Sequence, residues 1–517
     1  MKNNYFFKRT LSAVLLLMVS SLMWAWDFEV DGIAYNILSD TEVEVTSKDN
    51  LYEGQVVIPS TVVYEGITYN VTNIGDEAFK SGIFLASIEI GNSVTSIGNR
   101  AFAYCYRLTS IEIPNSVISI GDYAFQDCSS LASIEIPSSV TNIGNKVFLD
   151  CSSLASIAVA EDNPIYDSRE ACNAIIETTS NTLIVGCQNT VIPNSVTSIG
   201  YEAFRGHNAL ISIAIPNSVT SIGDHAFSGC YRLTSIEIGN SVTSIGYAAF
   251  QGCFSLTSVV IGNSVTSIGG EAFFDCYSLT SIEIPNSVTS IGQHAFWGCS
   301  SLTSIELPNS VTNMEHGIFL DCSSLASVVI PNSVKSIGTQ TFEGCSSLTS
   351  IEIPNSVTSI GDRAFAWCSS LTSVEIPNSV TSIGEYAFIW CTSLTSVEIP
   401  SSVRDIYDSA FSECSSLTTI TCYAEELPYL EDYVFSGVPQ NEATLYVPAS
   451  ALEAYKAADQ WMDFGTILPI GGDATGIAST TAEQETDATY YTLDGVSVKY
   501  PTKKGIYIKN GKKVYMQ

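Results

Sequence analysis

Apolar residues recur along most of the chain in one fixed pattern. A clean unit runs Cys345-Ser346-Ser347-Leu348-Thr349-Ser350-Ile351-Glu352-Ile353-Pro354-Asn355-Ser356-Val357-Thr358-Ser359-Ile360-Gly361-Asp362-Arg363-Ala364-Phe365-Ala366-Trp367, and Cys368 opens the next, 23 residues on. The period holds through Cys230, Cys253, Cys276, Cys299, Cys322, Cys345, Cys368, Cys391 and Cys414. A fixed period of this size predicts a solenoid, in which each unit completes its core only against its neighbours. Leu348, Ile351 and Ile353 have the spacing LxxIxI, which predicts a strand with these side chains inward and Glu352 outward. Pro354-Asn355 turns the chain, and Val357 and Ile360 re-enter the core on the returning arm. Asp362 is placed to cap one helical turn, with Phe365 and Cys368 on its inner face. Strand plus helical turn predicts an α/β repeat solenoid. Burying three large aliphatic side chains contributes roughly 5–8 kcal/mol per rung before conformational entropy is counted.

In chain order, residues 1–25 read as an export signal peptide. Lys2, Lys8 and Arg9 precede an apolar stretch from Leu11 to Met23 that is too short for a membrane span. Residues 26–70 alternate apolar and polar positions between Gly turns, which predicts an N-terminal β cap over the first rung. The repeats occupy residues 71–422. Their Phe positions run Phe79, Phe102, Phe125, Phe148 and then Phe204 to Phe411. The step from Phe148 to Phe204 is ten residues longer than two periods, so one rung, about 160–192, is expanded by an inserted β-hairpin. Residues 423–468 leave the period and predict a mixed C-terminal cap, with a helix from Ala449 to about Gln460 followed by Trp461 and Phe464. Residues 469–489 read as a linker. The locally basic tail, 490–517, predicts three short strands, Tyr491–Val498, Gly505–Ile508 and Lys512–Tyr515.

Composition narrows the partners. The 517 residues are 45% hydrophobic and only 14% charged, yet carry a net charge of −32. No basic face is available to neutralise phosphates, which argues against nucleic acid. A basic protein, a cationic ligand or divalent ions stay open. No apolar run after the leader is long enough to cross a membrane. Of 15 cysteines, 12 share one repeat slot between Phe and Leu, which reads as buried free thiol acting as a small hydrophobe. Cys172, Cys187 and Cys422 lie off that ladder, and a Cys172–Cys187 bridge stays open in an exported protein.

The unit LxxIxIPxSVTSIGxxAFxxCxS closely resembles the BspA-type leucine-rich repeats of surface proteins from anaerobic bacteria and some protozoa. The likeness spans about 350 residues and extends to the insert around Asn163-Pro164 and Cys172-Asn173-Ala174-Ile175-Ile176. It implies a leucine-rich-repeat solenoid with short parallel strands on the concave face. It also implies export and adhesion to matrix proteins or other cells, and it carries no catalytic residues. Pro-Asn follows the strand one position earlier than in the usual LxxLxLxxN pattern, which leaves the opposite side of the rung undetermined. Leu493-Asp494-Gly495 and Gly505-Ile506-Tyr507 in the tail resemble the end of type IX secretion sorting domains.

Two kinds of side chain are candidates for binding. Outward carboxylates recur on successive strands, among them Glu283, Glu306, Glu352, Glu375 and Glu398. At a rung spacing of about 4.8 Å they repel by on the order of 1 kcal/mol in water, which strand burial outweighs. They either meet a cation or basic partner, or keep the sheet solvated. Aromatics recur in variable slots: Tyr231, Phe254 and Tyr277 at one spacing, Phe274 and Trp297 at another, Trp367 and Trp390 at a third. They either form an exposed recognition stripe or shield the core. His207 replaces a ladder Cys, and with His225, His294 and His316 completes the histidines, for which no shared metal or catalytic site is expected. No nucleophile elbow, phosphate loop or carboxylate pair stands out. The expected function is an exported binding protein at the cell surface, outer membrane or outside the cell. It would take an extracellular protein or glycan as a monomer, with no cofactor and no enzyme activity. The alternative is a structural or decoy surface protein with no defined ligand.

Overall fold

The structure, a computed structural model, describes residues 26–471 and the strands Tyr490–Tyr491, Ser497–Val498, Gly505–Lys509 and Lys512–Met516. The expected leader, most of the linker and Leu493-Asp494-Gly495 lie outside the described residues. The chain forms two units, residues 1–467 and 468–517.

The first unit is a parallel solenoid of about 17 turns of roughly 23 residues. Each rung has three sides. The first is the LxxIxI strand: Ser350–Glu352 pairs in parallel with Ser373–Glu375, then Ser396–Ile399, Thr419–Cys422 and Thr444–Val447 follow. The Pro354 carbonyl accepts from Val357 N–H at 3.0 Å and closes the β-turn that ends this strand. The second side is the returning arm, which is itself a strand ladder: Ser336–Ile337, Ser359–Ile360, Ser382–Ile383 and Asp405–Ile406 stack in parallel.

The third side corrects the expectation of a helical turn. The N–H groups of Arg363, Phe365 and Trp367 donate to the carbonyls of Glu385, Ala387 and Ile389 on the next rung, at 2.7, 2.8 and 2.8 Å. Those donors are committed between rungs and cannot close helical bonds within one. The chain reconciles the two demands with three-residue turns, Ala364 N–H to Gly361 O and Ala366 N–H to Arg363 O, at 3.2 and 3.1 Å. Arg363 and Trp367 sit at φ 53° and 62°, in the left-handed region, which re-aims the backbone and breaks any helix.

The core of this side is a column of stacked Phe rings. From Phe204 to Phe435 successive centroids lie 4.9 to 5.9 Å apart with planes within 14°. A shorter column runs from Phe79 to Phe148. Its open end meets Tyr52, 4.5 Å from Phe79. The far end of the long column meets Trp461 and Phe464, 5.3 and 5.2 Å from Phe435. Reaching that position shortens the expected C-terminal helix to Leu452–Tyr455, the one α-helix among the described residues. Past it the chain makes tight turns, with Gln460 at φ 59°, that swing Trp461 inward.

Each ladder thiol has a defined bond. Cys345 Sγ donates to the Phe319 carbonyl at 3.3 Å, Cys368 to Phe342 at 3.2 Å and Cys391 to Phe365 at 3.2 Å. The slot thus holds a small hydrophobe that also satisfies a carbonyl of the preceding rung. Burial pushes these thiols well above their ordinary pKa. All 15 cysteines are free and buried, so Cys172 and Cys187 are not bridged; Cys187 Sγ donates instead to Asn173 O at 3.2 Å.

The expanded rung holds an antiparallel sheet, Tyr166–Asp167, Ile175–Glu177 and Thr182–Val185, whose last strand rejoins the parallel ladder at Ser198–Ile199. Asn163, buried, pins it: Nδ2 donates to Pro137 O and Val140 O, and Oδ1 accepts from Ile165 and Tyr166 N–H. Gly186 stands where a rung would carry Phe. A Cβ there would come within 2.0 Å of the Phe204 ring. The buried apolar residues accordingly fall into two clusters that meet at this rung, with Ile175 in one and Ile176 in the other.

Ahead of the regular rungs, antiparallel pairing (Phe28–Val30, Ile33–Ser39, Glu42–Val45) passes into parallel stacking, as Glu42–Val45 pairs with Ile67–Ile74 and Gly54–Ile58 with Leu85–Ile90. In the second unit the described strands form one antiparallel four-stranded sheet. The first expected tail strand is divided in two, because Tyr490 pairs with Val498 and the chain reverses between them. Among the described residues no helix is long and apolar enough to cross a membrane.

Two outcomes test this packing. Phe342→Ala opens the column and should lower stability by about 3–5 kcal/mol, against about 1 kcal/mol for Cys345→Ala, which removes a buried sulfur and one of the two bonds to the Phe319 carbonyl, the other coming from Cys322 N–H at 3.1 Å; thermal unfolding of both variants checks the order. His207, in the ladder slot, is buried, and desolvation holds its pKa down at about 4. The folded state therefore keeps it neutral while the unfolded chain protonates below about pH 6.5, so its contribution is full above that pH and is lost as pH falls toward 4. Between pH 7 and 5 wild type should lose about 2 kcal/mol that His207→Cys retains, read as the difference between their melting-temperature profiles.

Candidate functional site

The Tyr231, Phe254 and Tyr277 slot follows the ladder Cys, at the corner between the third side and the LxxIxI strand. The first two backbones are held by short turns, with Tyr231 N–H on Gly229 O at 2.9 Å and Phe254 N–H on Gly252 O at 2.8 Å. Gly229 and Gly252 lie at φ 72° and 70°, and a Cβ on Gly252 would touch both the Tyr231 and Phe254 rings. The three rings stack face to face, centroids 4.8 and 5.1 Å apart and planes 5° and 17°. They are nevertheless 44%, 39% and 43% exposed. Rings that shield a core would be covered; these cover one another and leave their outer edges in water. The Tyr277 hydroxyl titrates above its ordinary value, through desolvation and then the hydrogen bond and charge of Asp275.

The other two aromatic pairs sit on the third side. Trp367 and Trp390 stack at 5.0 Å and 8°, with Trp367 exposed and Trp390 half-buried. Both occupy left-handed positions, φ 62° and 60°. Elsewhere that slot holds Gly206, Gly229, Gly252, Gly298 and Gly344, or Asp, Glu or Tyr as at Asp275, Glu413 and Tyr104, all at positive φ. A tryptophan there is therefore not demanded by the backbone. Phe274 and Trp297 meet edge to face at 4.7 Å, and the Trp297 Nε1–H donates to Asp321 Oδ2 at 3.2 Å. His294 joins them, 5.0 Å from the Trp297 ring and 4.8 Å from His316. Burial and then the neighbouring His316 lower the His294 pKa. Sequence reasoning left this histidine contact unseen; the signal was that His316 follows His294 by 22 residues, one short of the period.

The carboxylates all point outward from the strand side. Glu352, Glu375 and Glu398 lie side by side on three paired strands, and Tyr423 donates its hydroxyl proton to Glu398 Oε2 at 3.0 Å. Glu283 and Glu306 are not continuous with them, because Val329 takes the position opposite Glu306. The strand side carries shallow grooves; one of about 440 Å³ is lined by Glu352 and Glu375. Among the described residues no group of three or more His, Cys, Asp or Glu side chains converges as a metal site.

A family model described as the BspA type leucine rich repeat region matches residues 66–173, 182–280, 243–368 and 335–455. The break between the first two matches falls in the hairpin of the expanded rung. Among solved structures, a leucine-rich repeat protein from Bacteroides ovatus is similar at 31% identity and TM-score 0.52, over 73% of this chain and 95% of that one. One from Eubacterium ventriosum has 25% identity and TM-score 0.46, over 65% and 93%. A leucine rich cell surface protein from Faecalibacterium prausnitzii has 23% identity and TM-score 0.36, over 86% and 95%. No curated protein matches the chain.

Left-handed tryptophans make a measurable distinction. Trp367→Gly should leave the thermal midpoint unchanged or raise it, since Gly accepts φ 62° without strain. A fall as large as that of a buried aromatic would assign the pair to packing instead of display.

Proposed function

The chain belongs to the BspA-type leucine-rich repeat family, and from that premise we propose that it is an exported surface adhesin that binds an extracellular protein or glycoprotein through Tyr231, Phe254 and Tyr277. One observation carries the reading. Three consecutive rungs present stacked, exposed rings in a slot where other rungs carry Ser129, Ser152, Ser300, Ser323, Ser346, Ser369 and Ser415. The fold does not need aromatics there, and exposed aromatic clusters are the usual anchors of protein recognition. Pre-stacked rings lose little freedom on binding, which favours affinity per unit area. Trp367 with Trp390, Phe274 with Trp297, and the acidic strand side with Glu283, Glu306, Glu352, Glu375 and Glu398 extend the surface that a partner could cover.

Residues 26–70 and 423–468 serve as caps in this reading, supported by Tyr52 and by Trp461 with Phe464 at the two ends of the Phe columns. Residues 1–25 direct export and residues 490–517 act as a sorting signal.

The test is a binding screen of the purified full chain on matrix proteins, mucins and glycoproteins. Replacing Tyr231, Phe254 and Tyr277 by Ser, the residue of the sibling rungs, should weaken binding at least tenfold with the thermal midpoint kept. Unchanged binding would sink the stripe, and no binding across the panel would favour a surface protein without a defined ligand. For the tail, surface display that survives deletion of 490–517 would refute the sorting role.

A further inference from the structure

The expanded rung interrupts the third-side ladder, and the interruption has chemistry. On the rung before it, Tyr123, Phe125 and Asp127 donate to Asn145, Val147 and Leu149 in the ordinary way. The next donors in line are the N–H groups of Lys146, Phe148 and Asp150. Among the described residues no backbone carbonyl is bonded to them, although the hairpin rung itself keeps one third-side bond, Gly186 N–H to Ala203 O at 2.7 Å. The result is a cleft of about 280 Å³ between the Lys146–Leu149 turn and the Tyr201–Arg205 turn, with Ile184 and Val185 also lining it.

Glu202 lines the cleft and its side chain is only 2% exposed. Oε1 takes Lys146 Nζ at 3.1 Å and the Arg205 guanidinium. Oε2 is buried and has no hydrogen-bond partner. A carboxylate oxygen left bare in this way is unfavourable by itself and calls for a donor. Tyr201, 52% exposed, stands on the wall, and Lys146 Nζ lies over the rings of Tyr123 and Tyr201 at 5.4 and 5.8 Å. The site therefore combines an unmatched acceptor, several donors and an aromatic face.

That combination selects among ligands. An inorganic anion would meet the donors but oppose Glu202 Oε2. A simple cation would meet Glu202 but oppose Lys146 and Arg205. An apolar group would leave both kinds of polar atom bare. A polyhydroxyl ring donates and accepts from adjacent hydroxyls and has a C–H face for an aromatic ring. The volume lies below the roughly 300–1,000 Å³ of pockets for drug-sized ligands, which limits the occupant to one unit.

We propose that this cleft binds a single sugar unit. One hydroxyl donates to Glu202 Oε2, others accept from Lys146, Arg205 and the free backbone N–H groups, and the ring face lies against Tyr201. The site is separate from the aromatic stripe and does not depend on it.

Saturation-transfer NMR and calorimetry on the full chain, with a panel of neutral hexoses, N-acetylhexosamines, uronic acids and a sialic acid, test the proposal. At least one sugar should bind, and binding should be about tenfold weaker in Glu202→Gln and several-fold weaker in Tyr201→Ala. Tyr201 is exposed, so its variant keeps the fold if Glu202→Gln does not. The Tyr231, Phe254 and Tyr277 to Ser variant should bind the sugar as wild type does, even where it loses a macromolecular partner. No binding at high millimolar concentration would overturn the proposal. So would sugar binding indifferent to both substitutions, or occupancy by sulfate or a simple amine with no sugar response.

Discussion

The backbone of each rung is satisfied by the next one. On the third side the donors of one turn find their acceptors one turn further along, at distances near 2.8 Å, and on the returning arm they reach one turn back, as Gly361 N–H does to Ile337 O at 2.9 Å. Buried peptide groups cannot be left unpaired at small cost, so a rung's conformation is dictated by its neighbours as much as by its own sequence. The loss of the expected helical turn follows directly. Ala, Arg and Phe are tolerable helix formers, but the N–H groups of Arg363, Phe365 and Trp367 are already pledged across the rung interface, and the backbone accepts two left-handed residues per turn instead. The cysteine ladder belongs to the same logic, since its thiols reach back one rung and give a second bond to Phe carbonyls that already close a turn.

A structure governed this way tolerates variation only where a side chain leaves the ladder. The corner after Cys and the left-handed slot before it meet that condition, and there Ser and Gly exchange with Tyr, Phe and Trp. Stacking at the rung spacing aligns such rings without any special device, because the 23-residue period places identical slots about 5 Å apart. The solenoid thus turns a scatter of substitutions into a continuous surface. The acidic strand side forms by the same geometry, and Val329 shows how one different residue divides it.

At the expanded rung the third-side handover of hydrogen bonds is reduced to Gly186 N–H on Ala203 O. Gly186 lets Phe204 close over the missing ring, and Asn163 anchors the hairpin with four bonds, so the break is sealed on the core side. On the outer side Lys146 and Phe148, whose N–H groups donate to no backbone carbonyl among the described residues, and Glu202, with a buried and unpartnered carboxylate oxygen, all line one cleft. Unpartnered polar groups gathered in the lining of one cleft are the physical reason to look for a ligand there.

Much of this protein was legible from its sequence. The 23-residue period, the inward Leu and Ile, the inserted hairpin and the burial of the cysteines follow from periodicity and hydrophobic burial, which are properties of single residues and their spacing. The stacking of Tyr231, Phe254 and Tyr277 was foreshadowed by the same period. The third-side ladder, the thiol bonds to Phe carbonyls, the shortening of the C-terminal helix and the contact of His294 with His316 were not legible. Nor was the cleft, which joins Lys146 to Glu202 across the ten-residue insertion. These depend on which backbone groups remain unpaired after the rungs stack, and that count exists only once the chain is folded.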